Sequence, residues 1–236
     1  MTNRTQPSAA HVAGTEDAGT TTSVEQTTQL LREAIVQGHF GPGQRIKITE
    51  AAQFLNVGAM PVREALRKLE GEGLVSIAPN RGATVREVNR QFIEDIFEVR
   101  TTLEVMIIRR CIERLTFDRL QIIEELVRHL HQAIDAEDSV AMTQLIRTLH
   151  TQLFEIAGNA EATRIFQREW EIVVVLRGRF GYGKQRLTSL KQEFDLLLTH
   201  LRHGDAAGAE RVIRLHNRAG MEDLLGRIAQ IAPGGH

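Results

Sequence analysis

The fold of the amino-terminal third is decided by one stretch, AMPVREALRKLEGE at residues 59–72. Its apolar residues recur at intervals of three and four, which predicts a helix that packs one face on a core. They are Val62, Ala65, Leu66 and Leu69. Arg63 and Arg67 fall four residues apart on the opposite face, with Lys68 beside them. Pro61 fits the first turn, where its missing N–H has no partner, so the stretch predicts an amphipathic helix with a basic outer face.

The residues before this helix predict a shorter helix joined to it by a tight turn. Thr49 is a suitable start, because its hydroxyl can cap the first turn. The short helix would end near Asn56, and residues 57–58 would form the turn. An earlier helix would end at Gly38. Two helices joined by a short turn, the second with a basic face, have the geometry that places a helix in the DNA major groove.

After Gly73 the apolar period falls to about two, which predicts a pair of strands. Residues 74–77 and 83–88 would form the strands of a wing, with an arginine at the tip that could reach phosphate or a minor groove. The turn between them consists of Pro79, Asn80, Arg81 and Gly82. Isolated arginines such as Arg63 and Arg67 are more often solvated and paired with nearby glutamates. Here the turn, the helix and the wing agree, and we therefore expect DNA contact.

Composition limits the remaining classes of protein. The chain has 236 residues, of which 42% are hydrophobic and 25% charged, as in soluble globular proteins. The 29 basic and 30 acidic residues give a net charge of −1, which excludes a polybasic coat for nucleic acid or membrane. The single cysteine, Cys111, excludes a disulfide framework and is expected to serve packing. No apolar segment resembles a membrane span or signal peptide, so we expect a cytoplasmic protein.

The sequence divides into three parts. Residues 1–23 are rich in Thr, Ala, Ser and Gly and are expected to form a disordered tail. Residues 24–90 form the predicted winged helix-turn-helix, with nine Lys or Arg against seven Glu. Residues 91–231 show at least six amphipathic helical patterns with short connections, which predicts an all-α antiparallel bundle. The expected fold class is mainly α, with three helices and a two-stranded wing followed by the bundle.

Several polar residues interrupt the apolar faces of the predicted bundle. Arg100 lies four residues before Glu104, and His150 and His216 each follow apolar positions of a helical face. A polar side chain inside a bundle needs a partner, and a ligand cavity between helices would supply one. Taken singly, each histidine is better explained as a hydrogen-bonded core residue or a half-exposed surface residue.

A set of short motifs occurs at the separations of a known family. They are Gly38, Pro42-Gly43, Pro61-Val62-Arg63-Glu64-Ala65-Leu66, Leu69-Glu70, Glu72-Gly73-Leu74 and Asn80-Arg81-Gly82 in the first domain, and Glu98-Val99-Arg100 with Glu104, Gly158-Asn159, Gly204-Asp205 and His216 in the second. Through them the chain resembles the FadR branch of the GntR-type bacterial regulators, whose C-terminal (FCD) domain binds a ligand. The resemblance implies a homodimer on a short palindromic DNA operator, most often a repressor, that responds to a small organic acid.

The resemblance places the DNA contacts on the basic helix and the wing. We expect them at Thr49, Met60, Pro61, Arg63, Arg67, Lys68, Asn80, Arg81 and Gly82. The family usually has Ser-Arg-Thr before the proline, whereas this chain has Gly58-Ala59-Met60. A lost base contact is worth about 1–3 kcal/mol of discrimination. We therefore expect weaker or differently specified operator binding, with Arg63, Arg67 and Arg81 carrying more of the affinity.

The resemblance also implies an effector site in the bundle. Its residues would be Arg100, Glu104, Ile146, His150, Asn159, Phe194 and His216. Many members bind a divalent metal there through an aspartate and three histidines, and these places fall on Ile146, His150, Phe194 and His216. Two of the four are apolar, and a transition metal normally needs three protein ligands or more. We therefore expect no resident metal, with His150 and His216 as the remaining candidates, and a carboxylate held by the fork of Arg100.

Three classes of function are weighed on this basis. The leading hypothesis is a transcriptional regulator that responds to an organic acid. The alternative is a metal-sensing or metal-dependent regulator that uses His150 and His216 with a recruited carboxylate such as Glu104. An enzyme is disfavoured, because no nucleophile–base pair, glycine-rich phosphate loop or pair of catalytic acids can be assembled from the sequence.

Overall fold

The structure is a computed structural model that describes residues 17–78 and 82–231, and within these ranges the chain forms nine helices and three strands. The elements are α1 (Asp17–Val36), β1 (Arg45–Ile46), α2 (Ile48–Leu55), α3 (Ala59–Gly71), β2 (Val75–Ala78), β3 (Gly82–Val85), α4 (Arg90–Arg114), α5 (Phe117–Asp135), α6 (Ser139–Ala157), α7 (Ala160–Phe180), α8 (Lys184–Arg202) and α9 (Ala206–Ile231). The predicted fold class, mainly α with an amino-terminal wing, is confirmed. None of the described helices combines the length and apolar character that a membrane span requires.

The helix-turn-helix follows the sequence pattern closely. The helix α3 buries the four predicted apolar positions, and α2 ends at Asn56, whose φ of 53° is in the left-handed region. The strands β2 and β3 pair in antiparallel register from Val75↔Val85 to Ala78↔Gly82, which forms the predicted wing. The sheet has a third strand, β1, in which Arg45 pairs with Thr84. A strand of two residues is too short to show an alternating pattern, so β1 has no signal in the sequence.

Two predicted boundaries are wrong. The helix α2 begins at Ile48 with Lys47 at its N-cap and no capping side chain, so Thr49 lies inside the first turn instead of capping it. The predicted tail of residues 1–23 is helical from Asp17, and its earlier residues lie outside the described residues. The tail residues are poor core formers, but they extend a helix that Leu31 and Ile35 already anchor, and propagation of a helix costs far less than nucleation.

The six helices α4–α9 form the predicted bundle. Within the bundle the most extensive packing joins α4 with α9 and α6, α5 with α6, and α8 with α9. Side-chain oxygens cap four of the bundle helices: Asn89 caps α4, Thr116 caps α5, Asp138 caps α6 and Asn159 caps α7. The thiol of Cys111 is buried in the bundle core, and burial raises its pKa to about 12. Cys111 therefore serves packing, as its position in a helical pattern predicts.

A second core connects the bundle to the winged domain. Leu31 and Ile35 of α1 share it with Val173, Leu176 and Phe180 of α7. At its edge the guanidinium of Arg179 donates a hydrogen bond to the carbonyl oxygen of Val36, the last residue of α1. The helix α7 therefore packs in the cores of both domains.

Candidate functional site

The basic face of α3 is open to solvent. The side chain of Arg67 is 70% exposed and its Nη1 lies 2.8 Å from Oε1 of Glu64. Lys68 is exposed, with Nζ 3.8 Å from a carboxylate oxygen of Glu25. Arg63 is exposed and forms no hydrogen bond or ion pair with any described residue. Because exposed pairs of this kind are worth only about 0–1 kcal/mol, DNA phosphates can compete for all three cations.

The first turn of α3 is bare of capping side chains. Its N-cap is Gly58, which offers no side-chain bond to the free N–H groups. Met60 is 66% exposed and Pro61 half-buried, while Thr49 is exposed on α2. The three residues that replace the family's Ser-Arg-Thr thus leave this end of the helix without a hydroxyl or an arginine.

The wing adds a basic residue that the sequence reasoning missed. Arg45 on β1 is exposed, and its Nε would lie 3.4 Å from a Cβ at Gly82, whose φ of +76° favours glycine. The pairing of β1 with β3 therefore brings the side chain of Arg45 beside Gly82, at the tip end of the wing. Asn80 and Arg81, predicted for the wing tip, lie outside the described residues. A lone arginine in a two-residue strand carries no sequence signal of its own.

A small cavity of about 30 Å³ lies inside the bundle. Three arginines line it: Arg100, Arg177 and Arg186. Apolar and aromatic walls are contributed by Phe97, Ile146, Trp170, Val173, Tyr182 and Leu190, and the remaining lining residues are His216, Asn217 and Gly220. By the volume that one buried water needs, this space suits two or three water molecules.

Arg100 is the central residue of the cavity and is only 2% exposed. Its Nη2 donates to Oε1 of Glu104 at 3.0 Å. Its guanidinium carbon lies 4.7 Å from the ring centroid of Trp170 and 5.2 Å from that of Phe166. The Nε and Nη1 atoms have no hydrogen-bond partner among the described residues. Unmade hydrogen bonds of a buried charged group are costly, so the N–H groups of these two nitrogens are available to an acceptor.

Glu104 holds Arg100 and two further residues together. Its Oε2 accepts a hydrogen bond from Nδ2 of Asn217 at 2.6 Å, and Nε2 of His150 lies 3.6 Å from its Oε1. Burial alone would raise the pKa of Glu104, but His150 and Arg100 hold it well below its usual range. Nδ1 of His150 lies 2.8 Å from the carbonyl oxygen of Ile146, which can only accept, so Nδ1 carries a proton.

A second polar network lies around Arg186 and His216. Nδ1 of His216 lies 2.8 Å from Oε2 of Glu193, and Nη1 of Arg186 donates to the other oxygen of that carboxylate. Burial lowers the pKa of His216 to about 4. The pKa of Glu193, which burial would raise, is lowered to about 2 by His216 and Arg186. His216 is therefore neutral near pH 7 and donates from Nδ1 to an ionised carboxylate.

The positions expected to hold a metal converge, but their side chains do not suit a metal. The ring centroids of His150 and His216 are 5.6 Å apart, and the ring of Phe194 lies 6.4 Å and 5.3 Å from them. Ile146 lines the cavity beside them. Phe194 and Ile146 offer no ligand atom, and no group of three or more His, Cys, Asp or Glu among the described residues is arranged to hold a metal ion.

One predicted effector residue lies elsewhere. The side-chain oxygen of Asn159 accepts from the backbone N–H of Ala162 at 3.2 Å, and Asn159 does not line the cavity. Its position before α7 makes it a helix cap, a common role for asparagine. Conversely, the sequence reasoning missed Arg177, Arg186 and Asn217. The only local signal is spacing: Arg177 follows the buried Val173 by one helical turn, Asn217 follows Ile213 in the same way, and Arg186 precedes Leu190 by one turn.

Glu169 on α7 provides a test of the charges around this cavity. Burial raises its pKa to about 7, against the opposing effect of Arg100, and its Oε2 has no partner among the described residues. Because the folded state binds this proton more tightly than the unfolded state, its contribution to stability is present below about pH 4.5 and is lost as the pH rises through 7.

Glu169→Gln cannot ionise and does not lose stability in this way. Its free energy of unfolding relative to that of the wild type should therefore increase by about 2 kcal/mol between pH 5 and pH 8. His216, whose lowered pKa acts in the opposite sense below pH 6.5, is common to both proteins and cancels in the difference. Urea unfolding at the two pH values measures the effect, and Glu161→Gln, exposed on the same helix, is the control. Parallel stability curves for Glu169→Gln and wild type would contradict the assignment.

Known proteins resemble both parts of the chain. Residues 23–85 match the family model of bacterial regulatory proteins, gntR family, and residues 95–219 match that of the FCD domain. The HTH-type transcriptional repressor RspR of Escherichia coli (strain K12) is 28% identical over 200 residues, 81% of this chain and 84% of RspR. The HTH-type regulator YdhC of Bacillus subtilis (strain 168) is 22% identical over 195 residues, 82% of this chain and 87% of YdhC.

The fold agrees with this similarity. The solved structure of E. coli McbR has a TM-score of 0.64 at 23% identity, over 87% of this chain and 98% of McbR. The match to the FCD domain alone spans more than half of the chain. This chain is therefore a DNA-binding transcriptional regulator, not an enzyme, and it belongs to the GntR family with a C-terminal FCD domain.

Proposed function

We propose that this regulator is a repressor that binds a palindromic operator as a homodimer in the cytoplasm and is released by a small organic acid bound beside Arg100. The observation that carries the proposal is the buried guanidinium of Arg100, whose Nε and Nη1 have no partner among the described residues. These two nitrogens lie on different edges, so a carboxylate would bind one of them together with the second N–H of Nη2, in the bidentate geometry that Arg favours. The rings of Trp170 and Phe166 lie within cation–π distance of the guanidinium and stabilise its charge inside the bundle.

The size of the cavity supports a coupling between acid and DNA. A volume of about 30 Å³ is too small for an acid of five or more non-hydrogen atoms. Binding must therefore displace the lining, to which α7 contributes Trp170, Val173 and Arg177. Because α7 also packs on α1, its displacement would favour one placement of the winged domains over another. Differential affinity for two arrangements is what allows a ligand to change operator occupancy.

A dimer suits both the operator and the surface. Two recognition helices related by a twofold axis match a palindromic site. Val99 and Met106 are exposed seven residues apart on α4, which places them on one face that a second copy could cover. Light scattering on the purified protein measures the oligomeric state, and a monomer at micromolar concentration would contradict this part of the proposal.

The proposal as a whole is tested by titrating the full-length protein with a panel of small carboxylates in a calorimeter. Binding of at least one acid, and weaker operator binding in its presence by fluorescence anisotropy, is the expected result. The metal alternative predicts a stoichiometric metal after purification without chelator. We expect less than stoichiometric metal and the same acid affinity after dialysis against a chelator. Failure of every acid to bind would overturn the proposal.

Arg179→Ala tests the path through α7. The hydrogen bond from Arg179 to the Val36 carbonyl lies outside the cavity, so acid affinity should stay unchanged. The factor by which the acid weakens operator binding should fall at least threefold, from a typical coupling of about 5- to 150-fold. Anisotropy titrations with and without acid measure this factor, and Arg164→Ala, exposed on the same helix, is the control. Undiminished coupling in Arg179→Ala would exclude this path.

A further inference from the structure

Asn217 presents a hydrogen-bond acceptor that no described residue satisfies. The side chain is 1% exposed and its Oδ1 has no partner among the described residues. Its orientation is fixed chemically, because Glu104 is held ionised and a carboxylate only accepts. The NH₂ group must therefore point to Glu104, as the 2.6 Å contact has it, and Oδ1 must be the free end.

Buried donors accompany this acceptor in the same cavity. Nε of Arg186 and Nε1 of Trp170 have no partner among the described residues, in addition to Nε and Nη1 of Arg100. Asn217 and Arg100 bind the two oxygens of one carboxylate, Glu104, so the free acceptor lies next to the carboxylate-binding guanidinium. Nη2 of Arg186 donates a hydrogen bond at 3.2 Å to the backbone carbonyl oxygen of His216, the residue just before Asn217.

We propose that the effector is a hydroxy acid with its hydroxyl on a carbon close to the carboxylate. This inference rests on the proposed function, since it places the carboxylate on Arg100. The hydroxyl donates to Oδ1 of Asn217 and accepts from Nε of Arg186 or Nε1 of Trp170. A hydroxyl thus reproduces the donor and acceptor roles of the water that otherwise suits this polar space, whereas a methylene displaces that water without replacing its hydrogen bonds.

The alternative acids satisfy fewer of these groups. A plain carboxylic acid leaves the Asn217 acceptor unpaired, which is the costly outcome for a buried polar group. The ammonium of an amino acid can donate to Asn217 but cannot accept from Arg186 or Trp170. It would also stand among three guanidinium groups, those of Arg100, Arg177 and Arg186. The site therefore distinguishes acids of equal size by the group next to the carboxylate.

The test is calorimetry of the full-length wild-type protein with butyrate, 2-hydroxybutyrate, 3-hydroxybutyrate and 2-aminobutyrate. At least one hydroxy acid is expected to bind about tenfold or more tightly than both butyrate and the amino acid. Equal affinity of all four, or preference for butyrate or 2-aminobutyrate, would overturn this inference and leave the proposed function intact. Absence of binding by all four, while other acids of a wider panel bind, would also overturn it; absence of binding by every acid overturns the proposed function as well.

The variant Asn217→Ala tests whether Asn217 causes the preference for a hydroxy acid over butyrate. In this variant the ratio of the affinity for the preferred hydroxy acid to that for butyrate should fall from about tenfold or more to about one. Arg218→Ala, on the neighbouring exposed position and paired with Glu222, is the matched control and should keep the preference. A preference retained in a folded Asn217→Ala would overturn the role of Asn217. The comparison among acids uses wild-type protein and does not depend on the folding of either variant.

Discussion

Arg100→Gln is expected to weaken binding of the organic acid by at least about 100-fold, because the acid loses a bidentate, charge-assisted pair in a buried site. The same change leaves Glu104 buried without its counter-charge. Removing one partner of a buried pair typically costs about 3–5 kcal/mol of stability. Loss of binding by this variant alone could therefore reflect unfolding, and the design must separate the two effects.

The double variant Arg100→Gln, Glu104→Gln provides that separation. It removes both charges and should recover much of the stability, since the unpaired carboxylate is gone. Acid binding should remain lost. Arg100→Lys retains the charge but not the planar fork, and is expected to bind the acid about tenfold or more weakly. Circular dichroism and urea unfolding check the fold, and calorimetry measures acid binding. A folded double variant that binds the acid as tightly as the wild type would show that Arg100 is not part of the site.

Arg63→Ala is expected to reduce operator affinity by about 100-fold or more, since a dimer loses two contacts that are each worth about 1–3 kcal/mol. Arg63 has no partner among the described residues, so its removal should leave the free energy of unfolding unchanged. If the contact is to phosphate, affinity falls uniformly across sequences and the salt dependence becomes shallower; if to a base, discrimination relaxes at one position of each half-site.

Anisotropy titrations at several salt concentrations, with operator and with scrambled DNA, measure both effects of Arg63→Ala. The matched control is Arg90→Ala, an exposed arginine paired with Glu94 at the start of α4. It removes the same charge from a position off the α3 face. Operator affinity that falls equally in the two variants would mean that net charge, not the α3 face, determines binding.

Local patterns predicted the parts of the fold that depend on neighbours in the chain. The spacing of Val62, Ala65 and Leu69 placed α3 and its buried face, and Gly158 marked the end of α6. The strand β1 was not predicted, because its two residues form a strand by pairing with β3 and have no pattern of their own. The start of α1 was not predicted either. The composition of these residues indicates that they would not start a helix alone, but it does not show how easily they extend a helix that is already anchored.

The candidate site was predicted in part for a similar reason. Arg100, His150 and His216 stand out because polar residues interrupt helical apolar faces. Arg186 and Asn217 also lie one turn from buried apolar residues, but that spacing alone does not distinguish an inward-pointing polar side chain from one that reaches solvent. Asn159 shows the converse error, since an asparagine ahead of a helix caps it far more often than it reaches a remote cavity.

The core shared by α1 and α7 has a consequence for the independence of the two halves. Phe92, Ile93 and Ile96 of α4, together with Leu176 and Phe180, complete the apolar interior of the winged half. An amino-terminal fragment that ends near residue 90 would lack these side chains and would expose an apolar surface to water. Because the two halves share this apolar core, we expect loss of order in either half to propagate to the other.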